Sequence, residues 1–398
     1  MNRSSDTRLF FLDWVRIIAF FVLIFYHVGM YYVSWDWHVK SPFASDTIEP
    51  LMRLTSPWRL SLLFLISGVA SRFMLDKISA SSFIKQRSTR LFIPLLFGMY
   101  FIVPLQPYFE VVEKIAYQGS FVDFMKLYLQ AYHGFCRGSD CLTLPTWNHL
   151  WFVAYIWVYS LLLGALAATG AIERMSALLA RALTGWKILA LPIAYLAFIR
   201  VAMFSAFPET HNLTWDWYNH AAYFALFLAG VLMARQHGFW AELETLRFKA
   251  LGLALACWVG LVVYFGLSDN VIPAEQVEIW RMAQRCVWAA CAWSAIVAVC
   301  GFAHRHLQFD SAKRRYLTVA VFPVYIVHQT LIVTMAHLAK PLNLPPVLEG
   351  FLLVGLTLVL SFGVVEIVRR VPLLQPLFGV QGKNAPRALP VTALVNNP

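Results

Sequence analysis

The stretch LDWVRIIAFFVLIFYHVGMYY, residues 12–32, has the length and composition of a helix that crosses a membrane. A bilayer core about 30 Å thick requires about 20 apolar residues in one helix. Three ionisable residues, Asp13, Arg16 and His27, interrupt the run. A charge near the centre of the bilayer costs roughly 3 kcal/mol, so such residues usually mark a functional site. This stretch therefore indicates both the class of fold and the place to look for a function.

The whole chain has the composition of an integral membrane protein. Of its 398 residues, 60% are hydrophobic and 13% are charged, whereas soluble domains are about 45–50% apolar and about 25% charged. The first apolar run is about 24 residues long and lacks a small-residue cleavage site, which favours a retained span over a signal peptide. We expect one membrane domain over residues 1–378 and a polar, disordered cytoplasmic tail over residues 379–398.

Ten apolar runs predict an all-α polytopic membrane protein in which about ten transmembrane helices form one bundle. The runs at 188–205 and 281–303 are the least regular, because Pro192 and several arginines interrupt them. The ten predicted spans cover residues 9–33, 57–75, 91–109, 147–168, 188–205, 219–235, 250–267, 281–303, 317–339 and 347–368.

The basic residues are distributed unequally between the two ends of these spans. Of the 32 lysines and arginines, 21 lie on the side of the N-terminus, six lie on the other side, and five lie in or at the ends of spans. Cytoplasmic loops of membrane proteins carry an excess of Lys and Arg. We therefore predict that both termini are cytoplasmic. The net charge of +11 follows from this topology and does not indicate a nucleic-acid partner.

Arg16 and His27 are 11 residues apart, which places them on one face of the first helix. The separation is roughly 20° beyond three full turns, and it spans about 16 Å along the helix axis. Asp13 precedes Arg16 by three residues, a spacing that permits an intrahelical ion pair. A purely structural interpretation is also open, in which Asp13 and Arg16 form an orientation clamp and His27 is an interfacial residue.

His27 has the chemistry of a general base near the outer end of this span. An imidazole titrates near neutral pH and accepts a proton from a hydroxyl. A helix face with a cation in its inner half and a base in its outer half suits a reaction whose reactants come from both sides of the membrane. The same charges also fit a transporter that uses them as a relay, although the sequence shows no repeated halves of the kind common in transporters.

The order of several motifs resembles the acyltransferase type 3 family. Its opening signature is an Asp-x-x-Arg followed, eleven residues after the Arg, by a His, which here are Asp13, Arg16 and His27. FLISG at 64–68 is similar to the Ser-Gly element of the family's second helix, and QRSTR at 86–90 is similar to its cytoplasmic Arg-x-x-Arg. Further matching segments are HLWFV at 149–153, FALFLAGVLMAR at 224–235 and VFPVYIVHQTLIV at 321–333.

The resemblance implies an O-acyltransferase of the bacterial inner membrane that moves an acyl group from cytoplasmic acyl-CoA to a hydroxyl of a periplasmic glucan or a related glycan. Within the family, the chain is most similar to a branch that modifies periplasmic glucans with succinyl groups, so succinyl-CoA is the favoured co-substrate. Acetylation of another surface polysaccharide is the alternative. We expect no bound cofactor and no metal, and a homo-oligomer or partners in polysaccharide synthesis are compatible with this function.

The catalytic residues that the resemblance implies are His27, Arg16 and Asp13, to which we add Arg59 at the outer start of the second span. His27 either deprotonates the sugar hydroxyl for direct attack or carries the acyl group on its ring. Arg59 provides a donor for the oxyanion that develops on the thioester carbonyl. Its alternative role is an ordinary charge at the end of a span.

For coenzyme A, the resemblance implies a site that contains Ser67, Gly68, Arg87 and Arg90. The two arginines are three residues apart at a predicted helix start, so their side chains face the same way and suit the phosphates of the donor. They are equally explained as part of the basic cytoplasmic surface.

Arg200 lies inside an apolar run and suits the carboxylate of a succinyl group. Buried histidines are more often bonded to a backbone carbonyl than catalytic, which applies to His149 and His328. Asp36 and Glu209 are acidic candidates for a partner of the second ring nitrogen of His27. The residues that we assign to substrate or acyl-group binding are Arg200, His149, Trp151, His328 and His38.

Cys136 and Cys141 lie in a long loop that we place on the outer side. A disulfide is expected if that loop faces an oxidising periplasm, and two free thiols are the alternative.

Overall fold

The computed structural model describes residues 9–267 and 271–380, and this part of the chain is helical almost throughout. The first eight helices are α1 (Phe10–Tyr32), α2 (Glu49–Thr55), α3 (Arg59–Leu75), α4 (Ala80–Phe97), α5 (Leu105–Lys114), α6 (Phe121–Leu129), α7 (Trp151–Ala168) and α8 (Ala171–Ala182). The others are α9 (Lys187–Met203), α10 (Trp217–Asn219), α11 (Ala225–Met233), α12 (His237–Phe265), α13 (Val277–His306), α14 (Ala312–Ala339) and α15 (Pro346–Arg370). The nearly all-α fold is as predicted. The predicted tail lies outside the described residues except for Gly379 and Val380.

Within the described residues, eight helical segments are long and apolar enough to cross a membrane, and a ninth is added if α8 and α9 count as one bent span. The predicted number of ten is therefore not confirmed. Helices α8 and α9 meet at 110°, and Pro192 lies inside α9. The run predicted at 219–235 forms α10, a π-helical segment (His220–Phe224) and α11, each of which is short on its own.

Helix α4 begins well before the predicted start of the third span. The side chain of Ser79 accepts a hydrogen bond from the backbone N–H of Ser82 and caps the helix at Ala80, as serine does at many helix N-termini. Arg87 and Arg90 therefore lie in the second and third turns of a helix, and not at its start. From Gly98 the chain continues as a π-helical segment (Gly98–Ile102) towards α5.

Helices α3 and α11 pack backbone to backbone through two glycines. A Cβ atom on Gly68 would collide with the carbonyl of Phe227, and a Cβ atom on Gly230 would collide with the carbonyl of Leu65. Small residues at such crossings let membrane helices approach closely. The contact fixes α3, and with it Arg59 at the first position of that helix.

Outside the spans, the segment between α5 and α7 contains its own small apolar cluster around Phe124, Tyr128 and Phe135. Strands β1 (Cys136–Arg137) and β2 (Asp140–Cys141) form an antiparallel hairpin. A disulfide joins Cys136 to Cys141 across this hairpin, so of the two predicted states of these thiols the structure has the bonded one.

Candidate active site

A cavity of about 720 Å³ lies between the helices, and six of the predicted site residues line it. His27 of α1 and Arg59 of α3 line it together, although 31 positions of sequence separate them. Arg53, His211, Trp147, Trp288 and Gln329 also line it, and the sequence analysis did not single these residues out. The predicted residues in its lining are His27, His38, Arg59, His149, Trp151 and Arg200.

The side chain of His27 is paired with that of His328. Nδ1 of His27 lies 2.9 Å from Nε2 of His328, and the two rings are nearly parallel, with an interplanar angle of 10°. His27 is half-buried and faces the cavity, whereas His328 is buried. The acidic partners suggested for His27 are wrong, because the group bonded to its Nδ1 is a second imidazole from α14.

The hydrogen bonds determine which nitrogen of each ring carries the proton. Nδ1 of His328 lies 2.7 Å from the carbonyl oxygen of Tyr325, and a carbonyl only accepts, so Nδ1 of His328 donates. In the neutral ring Nε2 of His328 then accepts, which requires Nδ1 of His27 to donate to it. Nε2 of His27 is left with its lone pair, the form that a general base needs.

Asp36 and Glu209 both line the cavity but have other partners. The carboxylate of Asp36 accepts a hydrogen bond from Nζ of Lys114 at 2.9 Å. The carboxylate of Glu209 lies 3.8 Å from the guanidinium of Arg200. The charges of these two acids are thus directed at the basic side chains of Lys114 and Arg200.

His149 belongs to a buried polar network that joins α7 to α14. Its Nε2 lies 3.1 Å from the carbonyl oxygen of Ile326 and 3.2 Å from that of Tyr325. Nδ1 accepts a hydrogen bond from Nε2 of Gln106 at 3.2 Å. His149 and His328 are therefore both bonded to backbone carbonyls, as the structural interpretation of the sequence predicted.

Arg59 presents an unsatisfied guanidinium to the cavity. Its side chain is 8% exposed and lies over the ring of Tyr26, with Cζ 3.2 Å from the ring centroid. Nε and Nη1 are buried without a hydrogen-bond partner in the part of the chain that the structure describes. Buried polar groups are normally paired, so these two N–H groups are available to an oxyanion or a carboxylate.

Arg200 is the second buried arginine at the cavity. Nη1 donates to the hydroxyl of Tyr218 at 2.6 Å, and the guanidinium lies over the ring of Trp288 at 4.5 Å. Its Nε is buried and lacks a partner among the described residues. Arg200 therefore also retains donor capacity towards an anion in the cavity.

Aromatic side chains form much of the remaining wall. Trp35, Trp37, Trp147 and Trp151 all line the cavity, and Trp151 stacks on His211 with ring centroids 4.2 Å apart. Burial lowers the pKa of the His211 imidazole below its ordinary value.

His38, which the sequence analysis assigned to substrate or acyl-group binding, lines the same cavity as the tryptophans. Its Nδ1 lies 2.5 Å from a carboxylate oxygen of Glu110, and its Nε2 accepts from the amide of Gln329 at 3.1 Å. These two bonds hold the ring of His38 in a fixed orientation.

Asp13 and Arg16 lie outside the lining of this cavity. The guanidinium of Arg16 is 3.4 Å from the carboxylate of Asp13, which confirms the predicted ion pair. Asp13 is also paired with Arg314 of α14, a residue that is 1% exposed and bonded to Asp310 as well. Asp13 thus ties the inner end of α1 to the start of α14.

Arg87 and Arg90 lie close enough to Arg16 for its charge to act on both of them. Nε of Arg87 donates to the hydroxyl of Ser160 at 3.0 Å, while its Nη2 is buried and has no partner within the described residues. The structure thus brings Arg16, Arg87 and Arg90 into one inner arginine cluster. Three cations in such proximity repel one another unless an anion lies between them.

Ser67 and Gly68 lie in the middle of α3. Gly68 is in contact with the backbone of α11, and the carbonyl of Ser67 accepts a hydrogen bond from the hydroxyl of Ser71 at 2.7 Å. Neither residue is part of the cavity lining. Their predicted role in binding acyl-CoA stays a prediction.

Comparisons with known proteins point to one class of enzyme. A family model described as an acyltransferase domain matches residues 9–366. The glucans biosynthesis protein C of Escherichia coli O17:K52:H18 is 24% identical over 392 residues, which cover 95% of this chain and 96% of that protein. The proteins of the same name from E. coli K12 and O157:H7 are also 24% identical, over 392 and 394 residues with the same coverage. No solved structure matches the chain.

Proposed function

The chain belongs to the acyltransferase family whose model matches residues 9–366, and on that premise we propose that it transfers a succinyl group from succinyl-CoA to a hydroxyl of a periplasmic glucan. The observation that carries this proposal is the position of His27. His27 lines a cavity together with Arg59 and Arg200, each of which has at least one buried N–H group without a partner among the described residues.

The proposed reaction is a direct transfer. Nε2 of His27 takes the proton of the sugar hydroxyl while the oxygen attacks the thioester carbonyl. The carbonyl oxygen becomes an oxyanion, which Nε and Nη1 of Arg59 stabilise. When the tetrahedral intermediate collapses, the C–S bond breaks, the ester remains on the sugar, and the imidazolium of His27 returns the proton to the thiolate of coenzyme A.

The preference for succinyl rests on Arg200. A succinyl thioester carries a free carboxylate at its far end, and a buried guanidinium with an unused N–H is a suitable partner for that group. The carboxylate of Glu209 already lies 3.8 Å from Arg200, so the group that we assign to the succinyl carboxylate is Nε of Arg200, which has no partner among the described residues; an acetyl group has no carboxylate to accept this hydrogen bond. The names of the relatives, which refer to glucan biosynthesis, support a glucan as the acceptor.

The donor approaches from the end of the molecule that contains the inner arginine cluster. Arg16, Arg87 and Arg90 provide the charge that the phosphates of coenzyme A require. The excess of basic residues at this end makes it the cytoplasmic one, with both termini on that side. The cavity then faces the periplasm, and the enzyme resides in the bacterial inner membrane. The polar residues 379–398 form a tail on the domain of residues 1–378.

The test is a transfer assay with the purified protein in lipid nanodiscs, using succinyl-CoA and unsubstituted glucan. Release of coenzyme A thiol and mass spectrometry of the glucan report the reaction. His27→Ala is expected to lower the rate by about 1,000-fold, since general-base catalysis contributes about 10²–10⁴. His133→Ala changes an exposed histidine outside the cavity and serves as the control. Full activity of His27→Ala would exclude His27 as the base.

An acyl group carried on Nε2 of His27 would use the same geometry in two steps. Acid quench of a single turnover with labelled succinyl-CoA distinguishes the two routes, because only the second leaves label on the protein. Direct transfer predicts no labelled protein at any time point.

A further inference from the structure

The second imidazole, His328, has no part in the reaction as written above, yet it makes the closest polar contact of the proposed base. It lies on α14, 301 residues along the chain from His27, and is 1% exposed. Its Nε2 is 2.9 Å from Nδ1 of His27, and its own Nδ1 is 2.7 Å from the carbonyl oxygen of Tyr325. The three groups form a continuous line from the cavity into the helix backbone.

We propose that His328 is the positioning residue of His27 and the second member of a proton relay. This inference rests on the proposed function and deepens it. His328 fixes His27 in the tautomer with a bare Nε2, and it accepts the Nδ1 proton of His27 when Nε2 takes the proton of the acceptor hydroxyl.

The surroundings of His27 explain why a relay is needed. In serine hydrolases a buried carboxylate stabilises the imidazolium that forms during catalysis. The group at Nδ1 of His27 is the imidazole of His328 and not a carboxylate, and the cation of Arg59 lines the same cavity as His27.

Transfer of the second proton moves the positive charge away from the cation of Arg59. After it, His27 is neutral again with its proton on Nε2, and His328 is the imidazolium. The carbonyl of Tyr325 then accepts a charge-assisted hydrogen bond from Nδ1 of His328. Both protons return along the same line when the thiolate leaves, so the cycle gains and loses no proton.

The carbonyl of Tyr325, to which Nδ1 of His328 donates, is held in place by further contacts. The carbonyl of Tyr325 also lies 3.2 Å from Nε2 of His149, and the hydroxyl of Tyr325 donates to the carbonyl of His149. These contacts lock α14 to the start of α7. The ring of His328 therefore has a fixed acceptor that a solvent-exposed histidine would lack.

The test compares His328→Gln and His328→Ala with the native enzyme in nanodiscs. The amide oxygen of glutamine accepts the Nδ1 proton of His27 as a hydrogen bond but cannot take it up. We expect kcat to fall by about 10-fold in His328→Gln and about 100-fold in His328→Ala, within the range that loss of a supporting partner produces. The KM for succinyl-CoA is expected to stay within about twofold, because His328 is not part of the cavity lining.

Two readouts separate this role from a merely structural one. In mixtures of H₂O and D₂O, the rate of the native enzyme is expected to show a curved dependence on deuterium content, since two protons move, and that of His328→Gln a linear one. ¹⁵N NMR of histidine-labelled protein is expected to show Nε2 of His27 unprotonated in the native enzyme and a mixture of tautomers in His328→Ala.

His337→Gln is the matched control, because His337 lies on the same helix, pairs with Glu113 and is absent from the cavity lining. An unchanged kcat in both His328 variants, or a proton found on Nε2 of neutral His27, would overturn the relay. If His27→Ala is also fully active, the proposed function itself fails. An inactive His27→Ala beside fully active His328 variants refutes only the relay.

Discussion

At the scale of single residues, the cavity is lined by two arginines that each have at least one buried N–H group without a partner in the described part of the chain. An unpaired buried donor costs about 1–3 kcal/mol. A protein retains such a donor only where another interaction offsets this cost. The ring of Tyr26 under Arg59 and the ring of Trp288 under Arg200 offset part of that cost. In the proposed complex, substrate oxygens accept these hydrogen bonds and supply the remainder.

The preference for a dicarboxylic acyl group is tested by Arg200→Gln. Loss of a charge-assisted hydrogen bond costs about 1.5–3 kcal/mol, so the KM for succinyl-CoA is expected to rise by roughly 10- to 100-fold. The KM for acetyl-CoA should not rise, because that donor has no second carboxylate. Steady-state kinetics with both donors measures the difference.

Arg285→Gln is the control for that experiment, since Arg285 is also buried, bonds to Ser205 and lies outside the cavity lining. An equal rise in KM for the two donors would remove Arg200 from the recognition of the acyl group.

The sequence predicted the partners that lie on one helix and missed those that do not. Asp13 and Arg16 are three residues apart on one α-helix, and this spacing alone brings their side chains together. The partner of His27 lies on α14, and a contact between two histidines leaves no periodic signal in a sequence. An acid was expected there because carboxylates are the common partners of catalytic histidines.

At the scale of helices, the contact between α3 and α11 determines where Arg59 lies. Gly68→Ala places a Cβ atom against the carbonyl of Phe227, and such overpacking costs about 1–3 kcal/mol. We expect a lower midpoint of thermal unfolding in detergent, and an unchanged KM for succinyl-CoA in the protein that remains folded. A raised KM at native stability would instead support the predicted role of Gly68 in binding the donor.

Gly363→Ala is the matched control for this variant. A Cβ atom on Gly363 would have nothing within 4 Å, and alanine is favoured over glycine inside a helix by about 1 kcal/mol. This control is therefore expected to be as stable as the native protein or slightly more stable.

Hydropathy located the long apolar helices but missed α8 (Ala171–Ala182), and it did not predict how each helix crosses the membrane. Long apolar runs predicted α1, α7, α14 and α15 with small errors at their ends. The bend of 110° between α8 and α9 depends on packing that a hydropathy window does not detect. Arg285, which interrupts a predicted span, is accommodated because the hydroxyl of Ser205 accepts its hydrogen bond at 2.6 Å.

At the scale of the whole molecule, the inner arginine cluster and the cavity lie at opposite ends of α1. Arg16 and the inner arginine cluster lie towards its start, and His27 lies in its last two turns. The sequence predicted this polarity because charge asymmetry between loops is a property of composition. It did not predict the cavity, since a cavity exists only where side chains from many helices leave space between them.

If the inner arginine cluster binds the donor and the cavity binds the acceptor, substitutions in the cluster should weaken only the binding of the donor's phosphates. Arg87→Gln combined with Arg90→Gln is expected to raise the KM for succinyl-CoA by roughly 100-fold or more, since each charge-assisted hydrogen bond contributes about 1.5–3 kcal/mol. Succinyl-pantetheine has the same thioester and no phosphate, so its KM should stay unchanged. Arg174→Gln, an exposed arginine on α8, controls for the loss of basic charge at this end. Equal effects on both donors would mean that the cluster maintains the fold and does not bind coenzyme A, and the donor would then need another entrance.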